Sequence, residues 1–256
     1  MSRDELTRDG LSEGKSNSHV AGLQLDRIVF IGRTYDEYRR MFRLGERDLA
    51  GKTILDCPAG PCSFAAEMDA RGVAVVACDM AYVHSYDELA AKGEADVLYA
   101  MQDVERNRGS YHWSYFGSVG ELQYTRMKAL NGFLTDFRKT QTASGSSRYI
   151  AAQLPSLPFA DGAFDLILSA HFLFLYADRM DFAFHAATLR ELMRVAREEI
   201  RIFPVVDFSG KRYAHLDQIM RLASSAGFAA QMTPVPYEFA SGANAMLRLR
   251  RMPPTR

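Results

Sequence analysis

The chain is predicted to fold as one α/β domain around a Rossmann-like, mostly parallel sheet, with an antiparallel strand near the C-terminus and a helical cap insertion. Three observations predict it. Short apolar runs at 53–57, 74–78 and 164–170 have strand length, and segments of helical period separate them. The first run passes into a turn, Asp56-Cys57-Pro58-Ala59-Gly60-Pro61-Cys62, that opens a helix. At 256 residues, 48% apolar and 24% charged, the chain has the size and composition of one core carrying an insertion.

Residues 1 to about 20 are polar, with Gly10, Gly14, Lys15, Ser16, Asn17 and Ser18, and show no apolar period, so a frayed start is expected. Tyr35, Tyr38, Met41 and Phe42 then recur at helical spacing with Arg39 and Arg40 between them, an aromatic amphipathic helix before the core. Residues 1–50 thus read as a polar segment and helical lid within a single domain spanning 1–256. Thr53-Ile54-Leu55-Asp56-Cys57 reads as the first strand, and a helix through Phe64, Ala65 and Met68 follows, ending near Gly72. Ala74-Val75-Val76-Ala77-Cys78 is the second strand and ends at Asp79, which completes a βαβ unit.

No strand pattern occurs between Tyr99 and Arg148, while Tyr111, His112, Trp113, Tyr115, Phe116, Tyr124, Phe133 and Phe137 crowd in. Residues 100–148 are therefore expected to be a helical insertion that caps the strand ends. The sheet resumes at Tyr149-Ile150-Ala151-Ala152 and at Phe164 to Ala170. A helix with Phe182, Ala186, Leu189, Met193 and Ala196 on one face leads into the strand Ile200-Arg201-Ile202-Phe203. A helix near Leu216 to Ala226 stops at Gly227, and two strands close the chain. The strict alternation of Ala245-Met246-Leu247-Arg248-Leu249-Arg250 predicts a half-exposed strand near a sheet edge.

Lysine plus arginine equals aspartate plus glutamate at 31 each, so no overall field favours nucleic acid or an acidic membrane, and a small-molecule partner is expected. The chain has no apolar run of membrane-spanning length, and its start lacks the features of a secretory signal; a cytoplasmic protein is expected. Cys57, Cys62 and Cys78 form no CxxC pair and have no histidine at finger spacing, which predicts reduced core thiols and no metal.

In an open α/β sheet the ligand lies beyond the carboxyl ends of the strands, where the topology switches. Gly60 lets the first turn approach a ligand and present N–H groups. Asp79, 23 residues beyond Asp56, has the spacing of a carboxylate that takes both ribose hydroxyls of a nucleoside; it is equally placed to cap the next turn.

These residues resemble the class I S-adenosyl-L-methionine (SAM)-dependent methyltransferases, whose first motif reads Asp-x-Gly-x-Gly-x-Gly. Asp56 and Gly60 are kept, whereas Pro58 and Cys62 stand in place of glycines, a loss that a pyrophosphate-binding turn tolerates poorly. The resemblance continues through Leu157-Pro158-Phe159-Ala160-Asp161-Gly162-Ala163-Phe164-Asp165-Leu166-Ile167-Leu168-Ser169 and Leu189-Arg190-Glu191-Leu192-Met193-Arg194-Val195, and covers roughly residues 52–208. It implies that SAM is bound by the turn at Asp56, Pro58 and Gly60, with Asp79 on the ribose and Met80 against adenine. Gln153 would replace the acidic residue that meets the adenine amino group, Leu154 would supply a backbone contact, and Ala170 and His171 would face the methionine end.

The turn at Asp56 to Gly60, the run His171-Phe172-Leu173-Phe174-Leu175-Tyr176-Ala177-Asp178-Arg179 and Ile202-Phe203-Pro204 further resemble a bacterial subgroup that includes azetidine-2-carboxylate synthases. That implies a SAM lyase, cyclising the aminobutyrate arm with release of 5′-methylthioadenosine. Tyr176 would then orient or deprotonate the amino group, and Tyr35 with the cap aromatics would enclose the sulfonium. A methyltransferase acting on a small-molecule acceptor is the alternative, with His171 as base or else as a satisfied core residue. RNA methylation is weaker, on a modest basic excess between Glu105 and Arg148, and a SAM-binding module without catalysis is the reading from a different class.

Overall fold

The computed structural model describes residues 28–142 and 147–253, so the polar stretch 1–20 lies outside the described residues. Seven strands form one sheet: β1 (Thr53–Asp56), β2 (Ala74–Cys78), β3 (Tyr149–Ile150), β4 (Phe164–Ala170), β5 (Ala196–Phe203), β6 (Phe228–Pro234) and β7 (Ala245–Arg251). Their order is β3-β2-β1-β4-β5-β7-β6. The first five are parallel, with Ile54 beside both Val75 and Leu166, and the chain reverses direction across the sheet between β1 and β4. That reversal is the topological switch point, where such sheets leave a crevice. β7 runs antiparallel to β5 and to β6.

Alternation along the strands sorts two cores. Ile54, Val75, Ala77, Leu166 and Leu168 pack on one face with Tyr38 of α1 (Tyr35–Met41), Phe64 of α3 (Phe64–Asp69) and Phe133 of α5 (Val119–Thr142). The short helix α2 (Glu46–Leu49) joins α1 to the sheet. Leu55, Ile167, Ile200, Ile202, Leu247 and Leu249 face the other way, against α6 (Phe182–Val195) and α7 (Leu216–Ser225). Phe164–Ala170 forms a strand as expected, and burial on both faces explains the apolar run Leu166-Ile167-Leu168 at its centre.

Four expectations are corrected. The helical segment begins at Tyr86, not near 100: Ser85 and Glu88 form a capping box that starts α4 (Tyr86–Arg106). Its second helix, α5, is the crossover from β2 to β3 rather than a cap, because Leu130, Phe133, Leu134 and Phe137 are buried on the sheet; Phe133 lies 5.5 Å from the Tyr82 ring and 5.3 Å from that of Tyr149. The second half of α4, the aromatic loop after it and the start of α5 share a small core of Val97, Met101, Val104, Tyr111, Phe116 and Leu122. β3 is two residues long, not four, and Ala196 opens β5 rather than closing the helix.

β7 lies near the sheet edge as expected, one strand in, with β6 as the edge itself. Its alternation arises from charge pairing. Arg248 and Arg250 donate to Glu199 on β5 at 2.6 and 2.9 Å, and Arg201 joins the same carboxylate. Burial opposes ionisation of Glu199, but the hydrogen bonds of Arg248 and the charge of Arg201 outweigh it and hold its pKa at about 2. A depressed carboxylate stabilises the fold above its unfolded pKa of about 4.3, and that contribution is lost as pH falls from there towards 2. In urea titrations the stability gap between wild type and Glu199→Gln should therefore be full at pH 6 and shrink steadily below pH 4. A gap independent of pH would show that the charge of Glu199 contributes nothing.

Candidate active site

The turn after β1 is held from beneath. Asp56 is fully buried and accepts the Tyr38 hydroxyl at 2.9 and 3.0 Å through its two oxygens. Burial pushes its pKa well above the usual carboxylate range; the Tyr38 hydrogen bond opposes the shift and the Asp79 charge adds to it. Gly60 sits at φ +54°, and nothing lies within 4 Å of where a side chain would project. Its N–H donates to Asp79 Oδ2 at 2.9 Å, while Asp79 Oδ1 accepts the Ala81 N–H at 2.8 Å. Asp79 thus does cap the turn that follows it, and each of its oxygens keeps a second lone pair for a ligand.

The segment before α1 forms a wall that the sequence did not announce. Arg33 N–H donates to Cys62 Sγ at 3.1 Å, and Ser63 N–H donates to the Arg33 carbonyl at 3.1 Å. The approach is so close that a Cβ on Gly32 would fall 1.9 Å from the Pro61 carbonyl oxygen. Around this turn the remaining residues follow the carboxyl ends of the parallel strands. Pro58 lies within the turn; Met80 is exposed beside Asp79; Gln153 is exposed and Leu154 buried after β3; Ala170 ends β4. Cys57, Cys62 and Cys78 are buried free thiols.

Beyond the ends of β4 and β5 lies a cavity of about 360 Å³, within the range of small-ligand sites. Its walls come from the 29–33 segment, α4, the loops after β4 and β5, and the 237–243 loop. The aromatic loop after α4 is stitched to that last loop: His112 N–H donates to the Phe239 carbonyl at 2.7 Å, and the Tyr111 ring stacks on Phe239 at 4.6 Å. The expected cap aromatics therefore pack chiefly against Phe239 and Tyr237.

His171 enters the cavity from the end of β4. Its backbone is left-handed, φ +52°, fixed by its N–H to the Phe203 carbonyl at 2.6 Å, and its ring meets Phe203 edge-on at 5.3 Å. A non-glycine residue held this way costs about 1–2 kcal/mol and is a frequent mark of a functional position. Nδ1 is buried without a hydrogen-bond partner. Burial, then the charges of Arg33 and Arg126, push the imidazole pKa well below 6.5, so the ring is neutral at physiological pH.

Tyr176 lines the same cavity, but its hydroxyl accepts the Val29 N–H at 3.3 Å and burial raises its pKa. Tyr35 is elsewhere: Phe64 stacks on it at 6.2 Å and the Arg71 guanidinium covers it at 4.6 Å. Of the three candidate catalytic residues, the fold brings together His171 and Tyr176 only. His185 is a core residue between the carbonyls of Asp181 and Leu173.

Sequence reasoning missed the polar wall of the cavity. Arg126, from α5, donates to both oxygens of Glu37 at 2.8 Å, and the Tyr237 hydroxyl adds a third bond at 2.9 Å. Glu37 is legible only as the third helical residue of a capping box begun by Thr34.

Residues 108–203 match the family model described as a methyltransferase domain, a stretch that includes His171 and leaves out the turn at 56–62. The uncharacterized protein MJ0045 of Methanocaldococcus jannaschii is 33% identical over 230 residues, 90% of this chain and 99% of its own. The chain belongs to the MJ0045 family. Solved structures similar to this MJ0045-family protein are distant. Magnesium protoporphyrin IX methyltransferase of Synechocystis PCC 6803, crystallised with SAM, is 13% identical at TM-score 0.43, covering 85% of this chain and 90% of that one. A 1,6-didemethyltoxoflavin-N1-methyltransferase of Burkholderia thailandensis is 14% identical at TM-score 0.40, with coverages of 79% and 72%. Likeness this remote says nothing of substrate.

Proposed function

We propose that the protein is a SAM-dependent methyltransferase whose small-molecule acceptor occupies the cavity beside His171. The observation that carries this reading is the division of the strand-end crevice. A turn suited to a nucleoside follows β1 and β2, and a separate chamber follows β4 and β5, with His171 lining the chamber at the end of β4. The donor half suits SAM: Gly60 leaves open space above the turn, the Asp79 oxygens retain lone pairs for ribose hydroxyls, and exposed Met80 offers an apolar contact to a flat base.

When bound there, SAM supplies an electrophilic methyl group. The protein's own tasks are to orient the acceptor, exclude water and remove a proton. His171 is the base: it is neutral, its buried Nδ1 is free, and Phe203 fixes the ring. Tyr176, with its hydroxyl already engaged by Val29, shapes the wall.

The match of residues 108–203 to a methyltransferase domain supports methyl transfer over cyclisation of SAM, and an intramolecular closure has no need of a second chamber. Incubating the protein with SAM, alone and with pooled small acceptors, tests this. S-adenosylhomocysteine formed only when acceptor is present is the expected result. Methylthioadenosine with a cyclic imino acid, formed from SAM alone above its spontaneous decay, would assign the lyase instead. SAM binding without any product would leave a non-catalytic module.

A further inference from the structure

We propose that the acceptor bears a carboxylate, which Arg33 receives at the wall of the cavity. This inference rests on the methyltransferase reading and names the substrate class of the same site. Arg33 and Arg126 both line the cavity, and the carboxylate beside them, Glu37, is fully used. Glu37 accepts two bonds from Arg126, one from the Tyr237 hydroxyl and two from Thr34.

Arg33 makes no ion pair among the described residues. Its Nη1 donates only to the carbonyls of Ile31 and Gly32, at 2.8 and 3.3 Å, and its buried Nε has no partner. A half-buried guanidinium without an ion pair is costly, and its buried free Nε donor is a further cost that a bound anion removes. The other carboxylate in the wall, Asp207, already folds its own loop: Oδ1 accepts from Ser209 N–H, Ser209 Oγ–H and Lys211 N–H. Two more polar atoms of the lining, Tyr111 Oη and His171 Nδ1, also lack partners. Arg33 and Tyr111 thus offer donors, and an anionic oxygen ligand is what they lack. Val29, Leu175 and Phe239 make the intervening surface apolar, so the acid carries an apolar or aromatic body.

A carboxylate could come from the acceptor or from the amino-acid arm of SAM, and binding measurements separate the two. With S-adenosylhomocysteine saturating, calorimetry on a panel of one- and two-ring aromatic acids and their matched amides should find an acid preferred at least tenfold over its amide. Arg33→Gln should abolish that preference with affinity for S-adenosylhomocysteine unchanged, and Arg33→Lys should keep part of it. Absence of a tenfold acid preference anywhere in the panel overturns the proposal, and needs no variant. So does an Arg33→Gln protein that binds the acid normally but loses affinity for S-adenosylhomocysteine and not for methylthioadenosine, which lacks the carboxylate. Binding is read without turnover, so a neutral acceptor that is methylated sinks this inference alone, whereas failure of every acceptor to yield S-adenosylhomocysteine sinks methyl transfer.

Discussion

Replacing His171 with asparagine should lower methyl transfer by about 10²–10⁴-fold, the usual worth of a positioned base, without lowering the melting temperature. Asparagine tolerates the left-handed backbone that His171 adopts at φ +52°, so the link from its N–H to Phe203 survives while the base is lost. His171→Gly is the sharper control. It relieves strain of about 1–2 kcal/mol, which offsets the removal of the ring that packs edge-on against Phe203, so it should be inactive yet no less stable. Because burial and the two neighbouring arginines hold the imidazole well below 6.5, the wild-type rate should also stay on its plateau as pH falls through 6.5. A His171→Asn enzyme within threefold of wild type would remove His171 from the chemistry. Loss of activity together with a large fall in melting temperature would make it a structural residue.

The largest stability effect should come from Glu37→Gln. The change keeps shape but removes the one anion facing Arg126, at a site where Glu37 is fully buried and Arg126 nearly so. Removing one partner of a buried pair costs about 3–5 kcal/mol, because the remaining charge stays desolvated. For a chain of this size that lowers the melting temperature by on the order of 10 °C. The double replacement Glu37→Leu with Arg126→Met should recover most of the loss, since an apolar pair of similar volume has no desolvation penalty. If Glu37→Gln unfolds within 1 kcal/mol of wild type in urea, the pair does not hold α1 to α5. The double variant serves a second purpose: it leaves Arg33 in place and separates the fold's use of charge from the ligand's.

Much of the turn proposed to hold SAM was legible in the sequence because its residues are neighbours along the chain. A strand, a glycine turn, a helix and a second strand ending in Asp79 make one local unit, and the structure keeps Asp56, Gly60 and Asp79 together through Tyr38, the Gly60 N–H and the Ala81 N–H. The acceptor half was largely hidden. Arg126 and Tyr237 stand 89 and 200 positions from Glu37, and no spacing rule joins them. Tyr35 illustrates the converse: an aromatic residue placed on a helix by its period, whose direction depended on Phe64 and Arg71.

The sequence by itself determined the alternation of strand and helix, the strand at Phe164 to Ala170, and the turn that opens the first helix, since each depends on residues within a few positions of one another. Only the tertiary structure decided that α5 is a crossover rather than a cap, that β7 lies inside the sheet with its arginines on Glu199, and that Arg33 borders a cavity without an acid of its own. Those outcomes turn on where desolvated charges and apolar faces find partners across the fold, and burial is set by packing among distant segments rather than by order along the chain.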